Sequence, residues 1–185
     1  MTTTTTTAPK SLGPKDTAAM IRKVLRATFP ATKFSVTTGR GSGVSSVDVR
    51  WTDGPTAARV NEFVACFQAG HFDGMTDMYE YDRAHFVEID GEIYRPATRY
   101  VQTSRESSPR ALARATSAVA SYWMTTAEER ATIAAAIADL EAGNVNDFWN
   151  NVRRLRLTAA PSRDFCELVY RALGDRTTCT LEVAA

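Results

Sequence analysis

The chain has 185 residues, 44% hydrophobic and 23% charged, with 22 Lys/Arg against 21 Asp/Glu and a formal net charge of +1. That length fits one domain, or a small domain with an extension, and the near balance of charge argues against an acidic DNA mimic and against a generally basic nucleic-acid coat. Three scattered cysteines, Cys66, Cys166 and Cys179, form no CxxC pair or Cys/His cluster, so neither a disulfide scaffold nor a zinc site is indicated.

The opening MTTTTTTAPKSLGPK has no apolar core of the kind a signal peptide needs. Its threonine run offers nothing to bury, so residues 1–14 read as a disordered tail. Asp16 or Thr17 then caps a helix running to about Phe29, where Pro30 stops it. Met20, Ile21, Val24, Leu25 and Thr28 fall on its apolar face, while Arg22, Lys23 and Arg26 cluster off it.

Two strands follow. Phe34 and Val36 alternate with Ser35 and Thr37, and Val47, Val49 and Trp51 alternate with Ser46, Asp48 and Arg50. Period two with one apolar side marks a half-buried antiparallel pair. The joint between them, GRGSG (39–43), tempts a reading as a phosphate cradle. A P-loop, however, needs Lys-Ser/Thr opening a helix, and here Val44-Ser45-Ser46 leads into a strand. The spacing is GxGxG rather than GxGxxG, so a hairpin joint is expected, with Arg40 and free amides able to hold a phosphate only weakly.

Asp53-Gly54-Pro55-Thr56 reads as a turn that opens a second helix, about Thr56 to Ala69, burying Val60, Phe63, Val64 and Phe67 with Gly70 as its C-terminal cap. A strand is expected near Thr76–Tyr81. Phe86–Ile89 and Glu92–Tyr94 form a hairpin through Asp90-Gly91, and Arg99–Thr103 is a last strand. After Ser104 the chain turns alanine-rich. Ser108-Pro109 opens a helix with Leu112, Ala115, Val119 and Tyr122 on one face. Thr126 to Glu129 is a capping box for the next, ending at Gly143. Shorter helices near Asn146–Leu157 and Ser162–Leu173 follow, and TTCTLEV reads as a short final strand.

The architecture implied is α+β: a helix-hairpin-helix-hairpin core carrying a mostly antiparallel sheet over residues 15–104, then an Ala-rich helical extension over 105–185. No apolar run approaches the roughly 20 residues of a membrane span. A soluble, cytoplasmic protein with reduced thiols and no membrane partner is expected.

Charge is unevenly spread. Residues 1–60 hold nine Lys/Arg and three Asp, a balance of +6; residues 61–95 hold eight acids and two Arg, a balance of −6. The two lobes either neutralise each other within the fold or form separate binding faces. On the second reading Arg22, Lys23, Arg26, Arg40 and Arg50 are the candidate residues for nucleic acid or a partner, with modest, salt-sensitive affinity. Asp73, Asp77, Glu80 and Asp82 lack EF-hand spacing. His71 and His85 lack a motif-spaced Cys, Ser or carboxylate, so they read as turn or packing residues. Arg153 to Arg156, RRLR, reads as a helix C-terminus favoured by the dipole, or as a docking segment. No catalytic residue, metal or cofactor is indicated.

The segments IRKVLRATFPATKFSV, GVSSVDVRWTDGPT and FDGMTDMYEY resemble a family of uncharacterised α+β domains of phages and conjugative elements, the large polyvalent protein-associated domain 29. The resemblance runs from Asp16 to about Arg83, reaching about residue 103 at its widest, and WTDGPT and FDGMTD are its most specific pieces. It implies a non-enzymatic accessory protein of a mobile element in a host cell, binding nucleic acid or a host protein, such as a defence component. It carries over no catalytic residue, and it marks Trp51, Asp53, Gly54, Pro55 and Asp73-Gly74 as structural. The competing classes are a small enzyme whose site forms only in the fold, with His71 or His85 beside Asp73, Asp77 or Asp82 in a deep pocket, and an oligomerising module built on the Ala-rich helices.

Overall fold

The first unit begins on a strand. In the computed structural model, which describes residues 9–39, 45–153, 155 and 164–174, β1 (Lys10–Leu12) runs parallel to β7 (Glu92–Pro96). Residues 10–12 therefore depart from the expected tail, while residues 1–8 lie outside the described residues. The physical reason is Leu12, 1% exposed in the core. Lys10 adds an ion pair to both carboxylate oxygens of Glu92 at 2.8 Å, and Tyr94 donates its hydroxyl to Glu92 at 2.6 Å.

Helix α1 (Pro14–Thr28) starts two residues before the expected cap. Pro14 takes the first turn, where its missing N–H needs no partner. Thr17 is no cap but a buried tie: its hydroxyl donates to the Leu12 carbonyl at 3.3 Å and accepts from the Thr98 hydroxyl at 2.8 Å. Ala18, Ile21 and Leu25 complete the buried stripe, and Thr28, expected on it, is exposed. The helix ends at Thr28 as Pro30 requires.

β2 (Phe34–Thr38) and β3 (Ser46–Thr52) pair antiparallel with Phe34 opposite Trp51 and Val36 opposite Val49. Their apolar face packs with Ile21 and Leu25 of α1. Thr56 caps α2 (Ala57–Val64), accepting from the Arg59 amide at 3.2 Å. The helix is shorter than expected, because a 3-10 turn (Ala65–Phe67) follows. Gly70 is not its cap; it opens β4 (Gly70–Asp73), which pairs with β5 (Met78–Tyr81). A Cβ on Gly70 would lie 1.8 Å from the Glu80 carbonyl oxygen, so the facing strand demands glycine.

β6 (Val87–Ile89) and β7 form the expected hairpin through Asp90 and Gly91, both at positive φ, and β8 (Tyr100–Glu106) lies beside β3. The fold is α+β, but the strands do not share one mostly antiparallel sheet. They form three small ones, in the orders β1-β7-β6, β2-β3-β8 and β4-β5, the first of them mixed. Alternation reveals which strands are half-buried; it does not say which edges meet.

Residues up to Arg105 form one compact unit and Glu106 onward another. The second holds α3 (Pro109–Trp123), α4 (Ala127–Glu141), α5 (Val145–Arg153) and α6 (Phe165–Ala172). Its core gathers Leu112, Val119, Ile133, Leu140, Phe148 and Phe165. The Thr126/Glu129 capping box is formed, and Gly143 and Gly174 take positive φ at helix ends. Tyr122, expected inside, is 67% exposed. The expected final strand lies outside the described residues. Among those described, no helix is long and apolar enough to cross a membrane.

Leu12→Ala is expected to destabilise the first unit by about 2–5 kcal/mol in urea unfolding. Lys10→Ala, which breaks only an exposed, solvent-screened pair, is expected to lower the unfolding midpoint far less than Leu12→Ala. Burial, reinforced by the Asp164 carboxylate, pushes the Cys166 thiol up to about 11. A thiol kept neutral in the fold but free to ionise when unfolded withdraws stability as pH rises from about 9 to about 11. Cys166→Ala is expected to flatten that limb of the curve of thermal stability against pH.

Candidate functional site

The second half of α1 and the link into β2 enclose a groove of about 490 Å³. Arg22, Arg26 and Lys33 supply its charge, and Leu25, Phe29 and Phe34 its apolar wall. A shallower concavity of about 450 Å³ lies against it on α1, lined by Ala19, Arg22, Lys23, Arg26 and Ala27. Arg22 and Arg26 border both, and among the described residues no Asp or Glu lines either. The apolar wall belongs to a chain of rings that runs from the half-buried Phe63 to the buried Trp51. Phe29 meets Phe63 edge-on at 5.6 Å, Phe29 and Phe34 lie 6.0 Å apart, and Phe34 meets Trp51 at 5.4 Å.

The cations are not equivalent. Arg22 donates to the Val36 carbonyl at 2.5 Å, so it fastens α1 to β2. Lys23 pairs with Asp90 at 2.5 Å, both well exposed. The side chains of Arg26 and Lys33 form no ion pair or hydrogen bond with the described residues. The basic and acidic lobes thus compensate in part, through Lys10–Glu92, Lys23–Asp90 and Arg59–Glu62. Compensation stops short of the groove.

Of the sequence-predicted residues, α1 brings Arg22, Lys23 and Arg26 together. Arg50 is exposed and pairs in register with Ser35, on the sheet face turned away from the core residues that α1 covers. It is not brought into the groove. Arg40, like all of the GRGSG joint except Gly39, lies outside the described residues. Lys33 was missed as a site residue, although its place between Pro30 and the first strand residue put it within reach of the helix C-terminus.

The remaining candidates sit in other roles. Asp73 accepts from the Met75 amide at 2.8 Å and the Thr76 hydroxyl at 2.9 Å, which hold its carboxyl below the usual range and close the β4–β5 turn. His71 lies 3.6 Å from Glu80 across that hairpin, both exposed. The His85 ring contacts the Cys66 carbonyl at 2.6 Å. Among the described residues no three His, Cys, Asp or Glu gather to hold a metal. Of RRLR, Arg153 ends α5, and Arg154 and Arg156 lie outside the described residues.

WTDGPT has a structural explanation. Trp51 is 3% exposed and donates its indole N–H to the Pro55 carbonyl at 2.9 Å, across Asp53 and Gly54 at positive φ. The model of the family described as large polyvalent protein associated domain 29 matches residues 12–108, just over half of the chain. The chain belongs to that family. The domain-29 match opens on the buried Leu12 that ends β1 and closes on Ser108, the cap of α3, so it covers β2 to β8 in full and only the last residue of β1. No curated protein and no solved structure matches the chain.

Gly54→Ala tests the signature turn. A Cβ there would lie 2.7 Å from the Thr32 hydroxyl, at φ +69°. The substitution is expected to cost about 1–2 kcal/mol or more, seen as a lower unfolding midpoint. Thr32→Ala should restore only the steric part.

Proposed function

We propose that this domain is a non-enzymatic accessory module of a mobile element that binds nucleic acid by its phosphate backbone, through the α1–β2 groove. The observation that carries the reading is the groove itself: three cations without a carboxylate in the lining, two of them unpaired. A phosphate placed there meets Arg26 and Lys33 without displacing a protein anion. Releasing counterions from the nucleic acid then drives binding, with an affinity that falls steeply with salt. The net charge of only +1 suits this local patch, since it provides no long-range attraction to polyanions in general.

A protein partner is the second reading. It is favoured by the β4–β5 hairpin, which exposes Phe72, Met75, Met78 and Tyr81 beside Asp77, Glu80 and Asp82. Exposed apolar patches of this kind mark interaction surfaces.

Arg26→Glu and Lys33→Glu, singly and together, test the first reading by fluorescence anisotropy with labelled DNA at a series of salt concentrations. Each is expected to weaken binding and to flatten the dependence of log K on log salt by about 1. Lys23→Glu, whose partner Asp90 already offsets the charge, is expected to do less. Wild-type protein that binds no DNA or RNA at low salt ends this reading. Co-purification of a host protein, lost on Met75→Asp with Met78→Asp, would then establish the second.

A further inference from the structure

Phosphate contact alone does not use the rings in the groove wall. Phe29 and Phe34 are half-buried, and each has a second aromatic neighbour, the half-buried Phe63 for one and the buried Trp51 for the other. Their remaining surface lines the groove between Arg26 and Lys33. The two ring planes are tilted by 48° at a centroid distance of 6.0 Å, which makes an open wedge rather than a closed stack. In a duplex the faces of the bases already stack on one another, and only their edges and the backbone are offered. Of the parts of a nucleic acid, a ring wall flanked by cations therefore suits an unpaired base best.

The surface beside the rings suits a polymer more than a single nucleotide. The groove and the neighbouring concavity share Arg22 and Arg26 as a common border. From Ala19 to Ala27 that face of α1 extends about 12 Å at the helical rise. Ala19 and Ala27 keep it low at both ends, so a backbone can lie close to Arg26, while Lys23 is offset by Asp90 and Arg22 is fastened to the Val36 carbonyl. A basic track with aromatic faces beside it is the arrangement by which single strands are held without sequence preference.

We infer that the α1–β2 groove binds single-stranded nucleic acid, seating an unpaired base against Phe29 and Phe34 while Arg26 and Lys33 hold the flanking phosphates. The inference rests on the phosphate-binding reading and adds the strandedness of the ligand. Arg22 acts here as a positioning residue, because its bond to the Val36 carbonyl sets the distance from helix to strand and so the width of the groove.

The test compares three labelled probes on wild-type protein: a short mixed-sequence DNA strand, the same strand with its central bases removed, and its duplex. The intact strand is expected to bind about tenfold tighter than the abasic one, the effect of one stacked base. It is also expected to bind tighter than the duplex. Phe29→Leu and Phe34→Leu keep apolar bulk and remove the ring. They are expected to weaken binding of the intact strand more than binding of the abasic one, so that the preference between the two narrows or disappears. Equal binding of intact and abasic strands overturns the stacking inference and leaves the phosphate reading standing, as does tighter binding of the duplex. No binding of any probe at low salt overturns both. The wild-type comparison decides the matter even if a leucine variant fails to fold.

Discussion

The first unit depends on the chain of rings from Phe63 through Phe29 and Phe34 to Trp51. These four side chains come from α2, the end of α1, β2 and β3, so one run of contacts fixes four elements at once. Trp51 is the anchored end. Its indole N–H needs a partner when buried, and the Pro55 carbonyl supplies it. That bond bends the chain back on itself immediately after β3 and aims Thr56 to cap α2. The groove wall is therefore the outer edge of the core, and its shape is as rigid as the packing behind it.

A second constraint closes the unit from the other side. Thr98 and Thr17 are fully buried, and their hydroxyls form a relay ending at the Leu12 carbonyl. The same carbonyl accepts the Ala97 amide at 3.0 Å. Buried hydroxyls without partners are costly, so the relay fixes where β1 enters, where α1 starts and how the β7–β8 link passes them. Outside this tie, Lys10 and Lys23 reach the β6–β7 hairpin at Glu92 and Asp90. These exposed pairs add little stability. Their effect is on charge: they bring acid from the second lobe to two of the cations and leave Arg26 and Lys33 without any.

Where sequence and structure agree, the signal was local. The β2–β3 alternation, the Asp90-Gly91 turn, the Thr126/Glu129 capping box and the proline stop after α1 each arise from contacts within a few residues, and each stands in the structure. What escaped the sequence was long-range. β1 carries three residues and no alternation, and it exists because a strand some 80 positions away offers it an edge. Gly70 reads as a helix cap until the facing carbonyl of Glu80 is seen to exclude any side chain. The groove was half legible. Arg22, Lys23 and Arg26 follow from helical spacing, but Lys33 joins them only after the Pro30 turn has folded back, and Arg50 leaves them because its strand face is set by pairing with Ser35.

The same distinction explains why the most recognisable motifs of the domain are not its candidate binding residues. WTDGPT and FDGMTD have tightly specified chemistry because turns at positive φ, a bonded indole and a carboxylate that closes a turn tolerate few alternatives. A phosphate track asks only for cations at the right spacing on a helix whose other face is buried, and many sequences satisfy that. Arg22 stands where the two demands meet. Its guanidinium is committed at one nitrogen to the Val36 carbonyl and keeps donors free toward the groove, so its loss would move the walls as well as remove a charge. Arg26 and Lys33 carry no such structural duty, which makes them the residues at which the proposed binding can be separated from folding.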